Sequence, residues 1–157
     1  MNKKDLKPAS VFYYFEEICQ VPRPSKREEK IIAYLKAFGR KHGLETKTDE
    51  VGNVLIKKPA TPGKENLKTV ILQSHIDMVC EKNSDVEHDF LIDPIDTVVD
   101  GEWLKAKGTT LGADNGIGVA TELAILAATD IEHGPLECLF TVDEETGSVS
   151  YTHLTLP

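Results

Sequence analysis

The chain has 157 residues, of which 40% are hydrophobic and 28% charged, a balance typical of one globular domain and not of a disordered or membrane-embedded chain. Its 26 Asp and Glu outnumber 18 Lys and Arg, so nucleic-acid binding, which needs clustered cations, is not expected. No signal peptide or membrane-spanning apolar run is recognisable, and three cysteines without a CxxC pair favour a reducing, cytoplasmic setting.

Two amphipathic helices are predicted in the N-terminal part. Apolar residues recur with helical spacing over residues 8–20, and the proline-rich stretch at 21–24 ends this first helix. Ser25 and Glu28 have the spacing of a capping box. They are predicted to open a second amphipathic helix that ends at Gly43.

Apolar and β-branched runs then alternate with one further helix. The predicted strands are 44–49, 54–57, 69–74, 103–106 and 136–142. The run 69–74 is apolar almost throughout, which is typical of a strand covered on both faces. A third helix is predicted from Asp114 or Asn115 to Ala128. Helices alternating with apolar strands indicate the α/β class, a sandwich with a mixed sheet.

The last nine residues, 149–157, continue none of these patterns. Their sequence, VSYTHLTLP, matches one reading frame of a common transposon-based sequencing adapter. We therefore expect the native part to comprise residues 1–147, ending near Gly147 or Ser148, and residues 149–157 not to be native. His153 is accordingly not a candidate functional residue.

Two clusters of chemistry-bearing residues flank predicted elements, where open α/β sheets bind ligands. His75 and Asp77 directly follow the strand 69–74. Residues two apart on an extended chain face the same side, so the carboxylate could orient an imidazole that binds metal. Asp114 lies in the glycine-rich segment 108–118 at the start of a helix, where the ordinary role of an aspartate is an N-cap.

The third cluster, Asp143, Glu144 and Glu145, follows the last predicted strand. Adjacent carboxylates repel one another and need solvent or cations to stay ionised together. Each cluster alone fits an ordinary loop. Jointly, one histidine and several carboxylates match the ligands of zinc or manganese. Neither a GxSxG elbow nor a cysteine beside a candidate base supports a covalent nucleophile.

Three motifs resemble those of a known family: HIDMV at 75–79, GTTLGADNGIG at 108–118 and TVDEETG at 141–147. They are similar in order and spacing to the cocatalytic zinc metallopeptidases, which include aminoacyl-histidine dipeptidases (peptidase D), aminoacylases and glutamate carboxypeptidases. The resemblance covers about residues 8–147. It implies a three-layer α/β sandwich with a mixed sheet, a zinc-exopeptidase-like catalytic domain that is truncated here to its N-terminal part.

The resemblance also implies a role for each candidate residue. His75 would bind one metal ion, oriented by Asp77, and Asp114 would bridge two divalent ions. Glu144 would be the general base and Glu145 a ligand of the second ion. Zinc is the expected metal, with manganese or cobalt as alternatives. The peptide bond after Asp114 is expected to be cis, and a further acidic ligand and a histidine are expected beyond residue 147.

The implied activity is hydrolysis of dipeptides of the Xaa-His type by a water activated between two metals. Small peptides are the expected partners, and the whole protein is expected to be a cytoplasmic homodimer, joined through a lid domain absent from this sequence. Two alternatives stay open: a related aminoacylase, carboxypeptidase or tripeptidase, and a non-catalytic, metal-free relative that acts as a binding module. Because ligands are missing, the chain alone is expected to be inactive.

Overall fold

Residues 3–147, the part of the chain that this computed structural model describes, form three α-helices and six strands. The helices are α1 (Ala9–Cys19), α2 (Glu29–Lys41) and α3 (Ala113–Ala127), preceded by one 3-10 turn at Lys3–Asp5. The strands are β1 (Glu45–Thr48), β2 (Val54–Lys58), β3 (Val70–His75), β4 (Thr97–Asp100), β5 (Trp103–Ala106) and β6 (Leu136–Thr141). Residues 149–157, which are predicted to be non-native, lie outside the described part of the chain.

Four strands form a mixed sheet in the order β1-β2-β6-β3. The neighbours β1, β2 and β6 run antiparallel, whereas β3 runs parallel to β6. In this register His75 at the end of β3 lies opposite Thr141 at the end of β6. The segments that follow these two strands therefore start side by side, although they are distant in sequence. The predicted mixed sheet is confirmed.

One face of the sheet packs against the helices. Each helix has a buried apolar stripe, as its periodicity predicts. The core consists of side chains from all three helices and from β2 and β6, among them Phe15, Ile31, Leu35, Val54, Ile56, Leu123, Cys138 and Phe140. Each such side chain contributes about 1.5–3 kcal/mol when fully buried. The sheet and the helices on this face are the part of the three-layer sandwich that residues 3–147 contain.

The strand β3 departs from its prediction. It lies at the edge of the sheet, and Val70 and Ile71 are 50% and 49% exposed, so in this chain its first half is not covered on both faces. Only Ser74 and His75 at its end are buried. Among the described residues no helix has the length and apolar character needed to cross a bilayer.

The predicted capping box is wrong. The helix α2 begins at Glu29, and its N-terminus has no side-chain cap. The Glu28 carboxylate instead accepts hydrogen bonds from the amides of Lys26 and Asp143, and the Ser25 hydroxyl donates to Asp77. Both side chains are held by distant groups of the tertiary structure, which outcompete the local pairing that their spacing suggests.

Candidate metal centre

His75 is buried at the end of β3 with carboxylates near both of its ring nitrogens. Its Nδ1 lies 3.3 Å from Asp77 Oδ1, and its Nε2 lies 3.1 Å from Asp114 Oδ1 and 4.0 Å from Glu144 Oε2. Burial by itself lowers the pKa of His75, but Asp77 and Asp114 raise it to about 9. Asp77 thus orients the ring through Nδ1, while Nε2 faces the carboxylates of Asp114 and Glu144.

Asp77 is fully buried and has a partner on each side of its carboxylate. Its Oδ2 accepts hydrogen bonds from the Ser25 hydroxyl at 2.7 Å and from the Glu145 amide at 3.1 Å. Its Oδ1 accepts the Glu144 amide at 3.1 Å and faces His75. Burial by itself raises the pKa of Asp77, but these contacts lower it to about 2. Asp77 is therefore a carboxylate that orders both the imidazole and the acidic segment after β6.

Four successive amides after β6, those of residues 142–145, are bound by buried side chains. Asn53 accepts the first of them, Glu28 the second and Asp77 the last two. Asp143 adopts a left-handed conformation, with φ of 55°, which aspartate tolerates better than most residues. This tight turn directs the side chains of Glu144 and Glu145 away from the strand, and the three anchors fix it.

Asp114 enters the site from the start of α3. The residue before this helix proper, Gly112, is left-handed with φ of 67°, and Asp114 and Asn115 have non-helical dihedral angles. The Asp114–Asn115 peptide bond is cis, as the resemblance implies. The Asp114 side chain is 89% exposed and does not cap the helix, so the ordinary role of an aspartate at this place does not apply.

The fold brings together all five predicted site residues. A ligand atom of each of His75, Asp114 and Glu145 lies within 4.8 Å of the others, and Glu144 reaches the same imidazole. Burial raises the pKa of Glu145, and the nearby charges of Asp114, Glu144 and Asp77 raise it further. Such crowding of carboxylates around one imidazole is relieved by a cation. The nitrogen and oxygen donors suit zinc or manganese, so the residues present fit a divalent metal.

Sequence reasoning missed the residues that support this cluster. Ser25 and Glu28 are predicted to form a capping box, Arg23 belongs to the stretch predicted to end the first helix, and Asn53 has no predicted role. All four contact the loops that carry the candidate ligands. The local signal is confined to Arg23, a charged residue within the proline-rich stretch 21–24, and it does not identify the partners of this side chain.

Comparison with known proteins finds peptidases among the proteins to which this chain is similar. No family model matches it. Over 142 residues, 90% of this chain, it is 52% identical to the cytosol non-specific dipeptidase of Escherichia coli, of which the match covers 29%. The crystal structure of aminoacylhistidine dipeptidase from Vibrio alginolyticus matches with a TM-score of 0.94 and 52% identity, over 98% of this chain and 31% of that one.

More distant structures share the fold. A tripeptidase from Staphylococcus aureus matches with a TM-score of 0.75 at 24% identity, over 99% of this chain and 40% of that one. The predicted resemblance to the aminoacyl-histidine dipeptidases and the predicted α/β fold class are confirmed. The chain spans about 30% of the length of the two relatives it matches at 52% identity.

Proposed function

We propose that this chain is the N-terminal part of the catalytic domain of a cytoplasmic, metal-dependent dipeptidase. The observation that carries this proposal is the convergence of His75, Asp114 and Glu145 within 4.8 Å, with Glu144 beside them. The 52% identity to a cytosol non-specific dipeptidase supports peptide hydrolysis as the chemistry. The native part is proposed to be residues 1–147.

Two divalent ions, zinc in the first instance, would be held by this cluster. His75 and Asp114 would bind one ion, and Asp114 and Glu145 the other. Each ion would then have two ligands from this chain, whereas catalytic zinc usually has three from protein, so we propose that the rest of the protein supplies another acid and a histidine. The metals would supply Lewis acidity and lower the pKa of water.

Glu144 is the proposed general base. Its Oε2 is 4.0 Å from His75 Nε2, and its side chain is 35% exposed, so it reaches both the ligand cluster and incoming water. The Asp77 carboxylate holds its amide and thereby fixes where the side chain starts. Glu145, the next residue, has its own amide on the other oxygen of Asp77. Adjacent residues can thus divide the work, one accepting a proton and the other binding metal.

Dipeptides of the Xaa-His type are the proposed substrates, and homodimerisation through a lid domain outside this chain is the proposed assembly. The substrate proposal is supported by the similarity to aminoacylhistidine dipeptidase, and the assembly proposal rests on the family resemblance of the three motifs alone.

The test is Glu144→Gln in the complete protein. Turnover of an Xaa-His dipeptide should fall by about 100-fold or more, because proton abstraction is lost, while the metal content measured by elemental analysis is unchanged. Glu102→Gln, at an exposed residue of the β4–β5 hairpin, is the matched control and should behave as wild type. Near-normal turnover of the metal-loaded Glu144→Gln enzyme would refute the assignment.

A further inference from the structure

Arg23 is a buried cation that makes no hydrogen bond to a carboxylate among the described residues. It is 2% exposed, and its guanidinium donates only to main-chain carbonyl oxygens among the described residues. Nη1 donates to Ile76 at 3.1 Å and to Asp77 at 3.3 Å, and Nη2 donates to Gly112 at 2.6 Å. Arginine is rarely buried without a paired charge because desolvation is costly. The hydrogen bonds to three main-chain carbonyl groups are therefore the contacts that offset the cost of burying this cation.

The three acceptors belong to the two opposite sides of the candidate metal centre. Ile76 and Asp77 directly follow His75, and Gly112 lies two residues before Asp114. The main chain of Arg23 adds a further link, since its carbonyl accepts the amide of Met78 at 3.2 Å. One rigid, planar guanidinium thus spans from the segment that directly follows His75 to the segment that leads into Asp114.

Two glycines of the GADNG motif leave room for this guanidinium. A Cβ atom at Gly112 would lie 2.6 Å from Arg23 Nη2, and one at Gly116 would lie 2.7 Å from the same atom. Both distances are under 3.0 Å, which real Cβ atoms essentially never show to a neighbouring heavy atom. Gly112 is also required by its positive φ, but Gly116 has no such backbone requirement, so the guanidinium and the neighbouring Phe15 account for it.

We propose that Arg23 is a positioning residue that sets the spacing between His75 and Asp114, the two residues proposed to bind one of the metal ions. This inference rests on the proposed metal-dependent function. Asp114 needs such a brace because its own side chain is exposed and its place depends on the main chain before it. A lysine could not substitute, since its ammonium is a point charge without the fixed fork that serves carbonyls on two loops at once.

The first test uses the metal-free complete protein and hydrogen exchange of individual amides. Arg23→Lys should accelerate exchange at the amides of Ile76 and Gly116, which bond to Thr141 and Gly112, by about tenfold or more relative to β2 and β6. Arg27→Lys, at an exposed arginine, is the matched control and should change neither amide. Acceleration spread evenly over the core, or no acceleration, would overturn the positioning role.

The second test measures metal binding and kinetics. Arg23→Lys should weaken binding of the zinc ion proposed to lie between His75 and Asp114 and lower kcat by about 10- to 100-fold with little change in KM. Gly116→Ala, which keeps the arginine but displaces it, should do the same, and the double variant should lose less than the sum of the two. Additive losses or unchanged zinc binding would overturn the inference.

The two tests separate this inference from the proposed function. If the wild-type protein binds no metal and hydrolyses no dipeptide, the proposed function fails, and the exchange result still decides whether Arg23 braces the two loops. If the wild type binds two ions and the variants do so equally well, the function stands and the positioning role is refuted.

Discussion

Replacing Asp77 by asparagine perturbs the centre with almost no change in shape. Each carboxylate oxygen of Asp77 accepts one main-chain amide, Oδ1 that of Glu144 and Oδ2 that of Glu145, at 3.1 Å each. In asparagine one of these oxygens becomes an NH₂ group, so either orientation of the amide sets a donor against a main-chain donor. Ser25 can rotate its hydroxyl, but the main-chain amide cannot.

The expected cost follows from these contacts. An unpaired buried donor costs about 1–3 kcal/mol, and the remaining bonds lose their charge-assisted strength, so Asp77→Asn should lower the free energy of unfolding by about 3 kcal/mol. Ser25→Ala removes one hydrogen-bond donor to Asp77 and leaves the carboxylate in place, so it should lower the free energy of unfolding by about 1.5 kcal/mol. Zinc affinity should fall by about 10- to 100-fold in Asp77→Asn, because His75 loses its orientation.

Urea denaturation of the metal-free complete protein at pH 7 measures the two unfolding free energies, and chelator competition measures zinc affinity. The reasoning would be refuted by an Asp77→Asn variant within about 0.5 kcal/mol of wild type, or by one no less stable than Ser25→Ala.

Three further outcomes follow from the same geometry. Asp114→Ala should lower bound metal, by elemental analysis, more than Asp77→Ala does, because Asp114 is a proposed ligand of both ions; the reverse order would contradict the bridge. Burial in α3 raises the pKa of Glu122 to about 7, although Ser74 and Cys138 oppose this. Because this folded-state pKa is above the ordinary 4.5, protonated Glu122 contributes its full stabilisation of the folded state below about pH 4.5. This contribution is lost as the pH rises through 7. The free energy of unfolding of Glu122→Gln, measured by urea titration, should therefore rise by about 3 kcal/mol relative to that of wild type between pH 4.5 and pH 8. A difference between the two proteins that does not change with pH would contradict this reasoning. The chain alone should bind zinc weakly and leave an Xaa-His dipeptide intact, whereas turnover near that of the complete protein would disprove the need for further ligands.

Local periodicity was sufficient to predict the main elements and to locate the candidate residues at their ends, whereas the roles of these residues are implied only by the family resemblance. The three helices follow from their apolar stripes, and His75 and Glu144 follow from their position after apolar strands. The strand β4 (Thr97–Asp100) was missed because only Val98 and Val99 in it are apolar, between polar neighbours, and its identity depends on pairing with β5.

Contacts between distant segments were beyond the reach of such patterns. Ser25 and Asp77 are 52 positions apart, and Glu28 and Asp143 are 115 apart. The spacing of Ser25 and Glu28 satisfies a local rule, yet their partners are set by the parallel pairing of β3 with β6. Predicting them requires the register of the sheet, which a single sequence does not contain.

The central claim is that two divalent ions bound at His75, Asp114 and Glu145 drive peptide hydrolysis. The most direct measurement is the metal content of the purified complete protein together with its dipeptidase activity before and after chelation. Two ions per chain, activity lost with the chelator, and activity regained on adding zinc are the predicted results. Undiminished hydrolysis by a protein free of metal would contradict the claim.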